Sequence, residues 1–370
     1  MYRFINEHKK SKSQQNNKAF EKGHIPMEKL LFSAVILGAV LLTSCGSNGF
    51  DGVSNYTEKG SDIYDENSES GGKTEEFAGG FSDENDTGPV EKASKTDDKE
   101  KKYPDGSLTY SNLTGESARN EVKELLSVAG VPENRIEKIL EWVNDYNKCM
   151  GSCENFELKE DFTSVSAYAV DYGDYYPMSA LWYKTNKRNY ADILCRLAAF
   201  ELLSDFISVS APLDKSEWEC YSDTQWLYSD YDAICNNPLV DFGEGEKEKY
   251  FSLYSPVQIK TGCSEQEMYD KIIKEWEKRG IAFEKGKCSL ITIWLQSEGL
   301  TAAGHAAVLA ENEDGLLLFE KTNPQSPYQA TKFSDLEQVK RYMFESLNLD
   351  NARYGLETGT YIVMKNDKII

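Results

Sequence analysis

TAAGHAAVLAENEDGLLLFEK, residues 301–321, reads as a β-hairpin: apolar runs from Ala306 to Leu309 and from Leu316 to Phe319 flank the turn-rich Glu311-Asn312-Glu313-Asp314-Gly315. The stretch holds His305, and the other two histidines, His8 and His24, lie far upstream. With Glu311 to Asp314 as the loop, symmetric pairing sets His305 opposite Glu320. Directly opposed residues share a face with Cβ atoms about 5 Å apart. A carboxylate then stands beside the imidazole, which is how a catalytic base is oriented.

Other strands surround this hairpin in sequence: SLITIWLQ (289–296), PYQATKF (327–333) and the closing TYIVMKND (360–367). Helices come mostly before them. Thr114 is placed to cap GESARNEVKELLSVAG, Gly130 to stop it, and Pro132 to open PENRIEKILEWVNDYNKC, with the short link making an antiparallel pair. SEQEMYDKIIKEWEKRG is amphipathic and ends at Gly280; Ser334 to Glu337 reads as a capping box for the helix carrying VKRYMFESL. The run ADILCRLAAFELLSDFI within about 190–207 is apolar nearly all round, so it belongs at the centre of its domain. Asn189 or Asp192 is the expected N-cap, placing Cys195 in the first turn or two, where the macrodipole and free N–H groups lower a thiol pKa. SEWECYSDTQWLYSDYDAICNN (216–237) reads as an acidic loop. The aromatic stretch SVSAYAVDYGDYYPMSALWY (164–183) reads as core that is also able to line a cleft. The expected fold class is α+β: N-terminal helices and a central buried helix packed on an antiparallel sheet.

The chain divides into 1–44, 45–105 and 106–370. The run Leu30 to Leu42 is too short for a permanent span, and its basic flank and small-residue exit are those of an export signal. Residues 45–105 are rich in Gly, Ser, Asp, Glu, Lys and Thr, too poor in apolar surface to offset chain entropy; they read as an acidic tether. Residues 106–370 suffice for one domain with a substantial core. Leaving out the seven basic and three acidic residues ahead of Cys45, the remainder carries 34 basic and 59 acidic residues, a net charge of −25. Such a surface repels nucleic acid and anionic lipid.

Seven cysteines follow Cys45, an odd number that leaves at least one thiol without an intrachain partner. Cys149 with Cys153, Cys220 with Cys235, and Cys263 with Cys288 are candidate bridges, with metal binding or free thiols as alternatives for the first pair. No metal or cofactor is expected: the one downstream histidine is remote from the cysteines in sequence, and no Cys-x-x-Cys occurs. P-loop, dinucleotide-glycine, nucleophile-elbow and His-Glu-x-x-His signatures are also missing from the sequence.

Leu42-Thr43-Ser44-Cys45 resembles the bacterial lipobox, which implies that Cys45 is the lipid-modified first residue of a mature protein on the outer face of the cell membrane, with Met1 and Met27 both open as starts. The stretches YSNLTGESARNEVKELLSVAGVP, CRLAAFELLSDFI, SLITIWLQ, GHAAVLAENEDGLLLFEK and SPYQATKF resemble domain of unknown function 4300, a family of Gram-positive lipoproteins, over most of 110–370. In that family's pattern a polar residue precedes the Cys-Arg pair, where this chain has Leu194. The order of a cysteine at a buried helix, then a histidine on a strand and a polar residue on the next strand, is similar to papain-like and NlpC/P60-like hydrolases. That similarity implies Cys195 as nucleophile, His305 as base, Glu320 as orienting residue and Asn189 as an oxyanion donor. Two functions follow: a surface-tethered cysteine peptidase or amidase acting on peptide or cell-wall amides, or a non-catalytic lipoprotein that binds a ligand or partner through its aromatic region. Replacing Cys45→Ala is expected to release the protein from the membrane fraction; undiminished retention of the variant refutes lipid anchoring.

Overall fold

The computed structural model describes residues 102–151, 157–220, 226–297 and 299–370. The export signal, Cys45, nearly all of the tether and Cys153 lie outside the described residues. The chain from 102 onward begins with β1 (Leu108–Ser111), α1 (Glu116–Val128), α2 (Glu133–Met150), β2 (Thr163–Val165) and α3 (Tyr175–Ala180). It continues through α4 (Cys195–Leu203), β3 (Ile207–Val209), α5 (Lys215–Trp218), α6 (Tyr228–Asn236), α7 (Glu246–Tyr254), β4 (Val257–Gln258), α8 (Glu265–Arg279) and β5 (Ile281–Phe283). Then come β6 (Cys288–Ser297), β7 (Leu300–Asn312), β8 (Gly315–Lys321), β9 (Tyr328–Phe333), α9 (Leu336–Arg353), β10 (Tyr361–Lys365) and β11 (Lys368–Ile369).

One antiparallel sheet runs in the order β11-β10-β6-β7-β8-β9-β1-β2, with β4 also paired to β7. Consecutive strands β6 to β9 form its centre as a meander. Residues of β7 alternate between two apolar clusters: Ala306, Val308 and Ala310 join α1, α2 and α4 on one face, and Ala307 and Leu309 join α9 on the other. The sheet is thus covered on both sides, and the α+β architecture is as expected. All nine residues of α4 are buried. Its two charges are partnered, Arg196 by Asp230 and Glu201 by Arg135 and Lys138. This satisfies the rule that a buried charge needs a counter-charge.

Several local expectations are corrected. The central helix starts at Cys195 with Leu194 as an N-cap that makes no side-chain bond, in place of Asn189 or Asp192. The carboxylate of Asp192 accepts instead from Lys321 and from the Gln325 and Ile193 amides. Gly115 caps α1 where Thr114 was expected, and Asp335 alone caps α9 by accepting from the Gln338 amide. The segment read as an acidic loop contains most of α5 and the whole of α6. Cys149, Cys195, Cys220, Cys235, Cys263 and Cys288 are all unbridged, so the Cys220–Cys235 and Cys263–Cys288 bridges do not form. By contrast Ser264 and Glu267 make a reciprocal capping box on α8, and Gly280 closes that helix in the left-handed region.

The hairpin turn is tighter than the sequence suggested. Asn312 pairs with Gly315, so only Glu313 and Asp314 form the loop, and the Asn312 side chain accepts from the Asp314 amide. Gly315 has φ +138°, and a Cβ there would stand 2.4 Å from the Phe333 carbonyl oxygen on β9. Gly315→Ala is therefore expected to destabilise the domain by about 2 kcal/mol or more, measured by urea denaturation; an unchanged midpoint refutes the tight approach of β8 to β9.

Candidate active site

The shorter turn moves the register by two residues. Glu320 pairs with Ala307 rather than His305. A two-residue shift keeps every side chain on its face, because the strand period is two, and diagonal neighbours remain within reach of long side chains. Ala307 ends at its Cβ and leaves room for that reach. His305 Nε2 and Glu320 Oε2 meet at 2.7 Å, with His305 9% exposed and Glu320 2%. The second carboxylate oxygen, Oε1, accepts from the Tyr342 hydroxyl on α9.

A β-bulge re-aims the strand at this point. Ile293 pairs with His305 but Trp294 pairs with Ala303, leaving Gly304 as the extra residue. Ala303 and Ala306 consequently face the same cluster although three residues apart. On its other edge β7 is covered by β4 at residues 300–301 and by β8 at 307–312. Between them lies a gap in the pairing. Arg196, the second residue of α4, donates to the Ala303 carbonyl in that gap at 2.7 Å, and its guanidinium is held bidentately by Asp230 of α6. The start of α4 is thereby fixed beside His305.

Cys195, 4% exposed, is the first residue of α4 and belongs to neither apolar cluster. Burial by itself would raise the thiol pKa; the hydrogen bond and charge of His305, with the charge of Arg196, outweigh it and lower the pKa below its ordinary value. Burial would likewise lower the imidazole pKa, and the bonds to Cys195 and Glu320 outweigh it and raise the imidazole to about 10. Both shifts favour thiolate and imidazolium. Cys195, His305 and Glu320 therefore form one contiguous cluster. Asn189 does not join it: that residue is exposed on the segment before α4 and does not line the depression at His305. The first-turn N–H groups of α4, which have no intrahelical acceptor, belong to the same turn as Cys195. Near the thiol lies also Tyr254, whose buried hydroxyl has no hydrogen-bond partner among the described residues and which interacts electrostatically with Cys195.

An open depression with about 550 Å³ of empty space lies on the α9 side of the sheet, with His305, Glu320, Tyr172, Tyr175 and Arg353 among its lining. Cys195 is not part of that lining. Asp350 marks its polar end, accepting from Tyr175, Asn323 and Arg353. Of the aromatic stretch, Tyr172 and Tyr175 line the depression and Trp182 is core. No group of three or more His, Cys, Asp or Glu side chains suited to a metal occurs among the described residues.

A family profile described as Domain of unknown function (DUF4300) matches residues 109–370. The chain belongs to this family. No curated protein and no solved structure matches the chain. Within the DUF4300 domain, several residues that build the site left no signal in the sequence. Tyr342 stands on the helix carrying VKRYMFESL, where no site residue was expected, and Asp230 stands in a segment read as loop. Lys321, fully buried, pairs with Asp192 and lies 4.1 Å and 4.6 Å from the ring centroids of Tyr146 and Tyr328. Burial pulls its pKa below the ordinary lysine value against the charge of Asp192. This pair ties the end of β8 to the approach of α4. Lys321→Ala strands a buried carboxylate and is expected to cost about 3–5 kcal/mol, read by chemical denaturation; a loss below about 1 kcal/mol refutes the role.

Proposed function

We propose that the DUF4300 domain of this chain is a cysteine hydrolase of peptide or amide bonds, held outside the cell membrane by lipid on Cys45. The observation that carries this reading is the contiguous Cys195–His305–Glu320 cluster, with the thiol at the first position of a helix and the ring held at 2.7 Å by a buried carboxylate. In this reading the thiolate attacks the substrate carbonyl carbon, and the helix N–H groups receive the developing oxyanion. The imidazolium then gives its proton to the departing amine as the C–N bond breaks. Water, deprotonated by the neutral imidazole, hydrolyses the thioester, and the thiol is regenerated. Glu320 fixes the ring and balances its charge throughout. The lipobox-like LTSC and the acidic tether support a location where cell-wall peptides are the nearby amides. Likeness to papain-like enzymes rests on this site alone. A second reading, a ligand-binding lipoprotein, is favoured by one observation: the thiol does not line the depression at His305.

pH-dependent alkylation followed at Cys195 separates the two. Thiolate is the charged form and the imidazolium stabilises it. The wild-type midpoint is therefore expected below about 8.5, and in His305→Ala, where only the charge of Arg196 is left to oppose burial, above it. Hydrolysis of a peptide and muropeptide panel is expected to vanish in Cys195→Ala, to fall about 10²- to 10⁴-fold in His305→Ala and to fall in Glu320→Gln. An ordinary midpoint in both proteins, or a thiol inert at every pH in the folded domain, overturns the hydrolase and leaves the binding reading.

A further inference from the structure

Behind Glu320 a directed series of hydrogen bonds crosses the sheet. Asn112 Nδ2 donates to the Tyr172 hydroxyl at 2.7 Å, and that hydroxyl donates to Gln329 Oε1 at 2.5 Å. Gln329 Nε2 donates to Thr331 Oγ1 at 2.7 Å and to the Tyr342 hydroxyl oxygen at 2.8 Å. Tyr342 in turn donates to Glu320 Oε1. Asn112 is itself fixed, donating to the Tyr328 carbonyl and accepting from the Lys159 amide. Asn112, Tyr172, Gln329, Tyr342 and Glu320 are all buried. Burial pushes both tyrosine hydroxyls well above their ordinary pKa, so each keeps its proton.

The direction of this series is forced. A tyrosine has one proton, and the Tyr342 oxygen is already the acceptor for the Gln329 amide, so the Tyr342 proton must point at Glu320. The Gln329 amide cannot turn over, because its oxygen would then need the Tyr342 proton, which the Glu320 carboxylate, an acceptor only, already takes. Glu320 is left with donors on both oxygens, His305 on one and Tyr342 on the other. A buried network in which every member is satisfied is rigid, and one missing member is costly. Gln329 pairs directly with Glu320 across β8 and β9, so the sheet register itself sets the series.

We propose that Tyr342 is a positioning residue for the Cys195–His305 pair, acting through Glu320 and oriented by Gln329 and Tyr172. The proposal rests on the hydrolase reading above. Without the Tyr342 proton, one Glu320 oxygen is buried with no donor. The carboxylate is then free to turn from the ring, the imidazolium loses part of its counter-charge, and the thiol loses part of what favours thiolate.

In Tyr342→Phe the alkylation midpoint of Cys195 is expected to rise by about one pH unit, with the far-ultraviolet spectrum of the folded domain retained. Tyr172→Phe breaks the series two residues further away, beyond Gln329, and is expected to give a smaller rise in the same direction. A purely structural hydroxyl lowers the melting temperature and leaves the midpoint in place, and that result overturns the proposal. If Tyr342→Phe does not fold, Tyr172→Phe decides alone: a raised midpoint supports the series and an unchanged one refutes it. A wild-type thiol that titrates ordinarily removes the hydrolase reading and this proposal together, whereas a low wild-type midpoint unmoved in both variants removes the proposal alone.

Discussion

Two consecutive buried charges at the end of β8 constrain everything around them. Glu320 and Lys321 point to opposite faces of the sheet, as neighbours on a strand must, and both are almost wholly removed from water. Each needs its own partners on its own side: His305 and Tyr342 for the carboxylate, Asp192 and two tyrosine rings for the ammonium. A one-residue slip of β8 would exchange the faces and bury each charge among the other's surroundings. The cost of an unpaired buried ion is several kcal/mol, so the pairing of β7 with β8 is specified far more strongly than the apolar residues of the hairpin alone would manage.

The Lys321 contact and one made by Arg196 also place the Cys195 thiol. Asp192 lies three residues before Cys195, and its bond to Lys321 holds the approach to α4 against β8. Arg196 lies one residue after Cys195 and fills the unpaired stretch of β7 through the Ala303 carbonyl. The thiol is therefore fixed from both sides by charged contacts that do not touch it. Gly304 supplies the third element: its bulge changes the facing of β7 where β4 and β8 leave a gap, and His305 follows it directly. A helix start, a sheet gap and a bulge meet at one point, and the fold has covalent freedom at none of them once the charges are paired.

The electrostatics of the cluster follow from competition between burial and partners. Burial opposes charge on both Cys195 and His305, and each group alone would be neutral. Together they overcome it, since each is the other's counter-charge and Glu320 adds a second one to the ring. The net negative surface of the chain plays no part at this depth. What matters is that the few positive groups near the thiol, His305 and Arg196, are both held by carboxylates, Glu320 and Asp230, and cannot swing away.

By itself the sequence determined the α+β class, the hairpin, the antiparallel strands around it, the burial of the helix with CRLAAFELL and the one imidazole downstream of Cys45, His305, with Glu320 within its reach. Those features are periodic or unique: two-residue alternation marks strands, all-round apolarity marks a central helix, and a sole downstream histidine leaves no choice of imidazole. Even the misplaced register did no harm to the His305–Glu320 pairing, because an error of two residues conserves the face. The tertiary structure alone decided the rest. The true start of α4 was hidden because Leu194 caps it without a side-chain bond, so Asn189 and Asp192 looked better than they are. Asp230, Tyr342 and Lys321 became part of the site's support only through contacts between residues 22 to 129 apart in sequence. No periodicity encodes such separations; they exist because buried polar groups must find partners wherever the packed elements bring them.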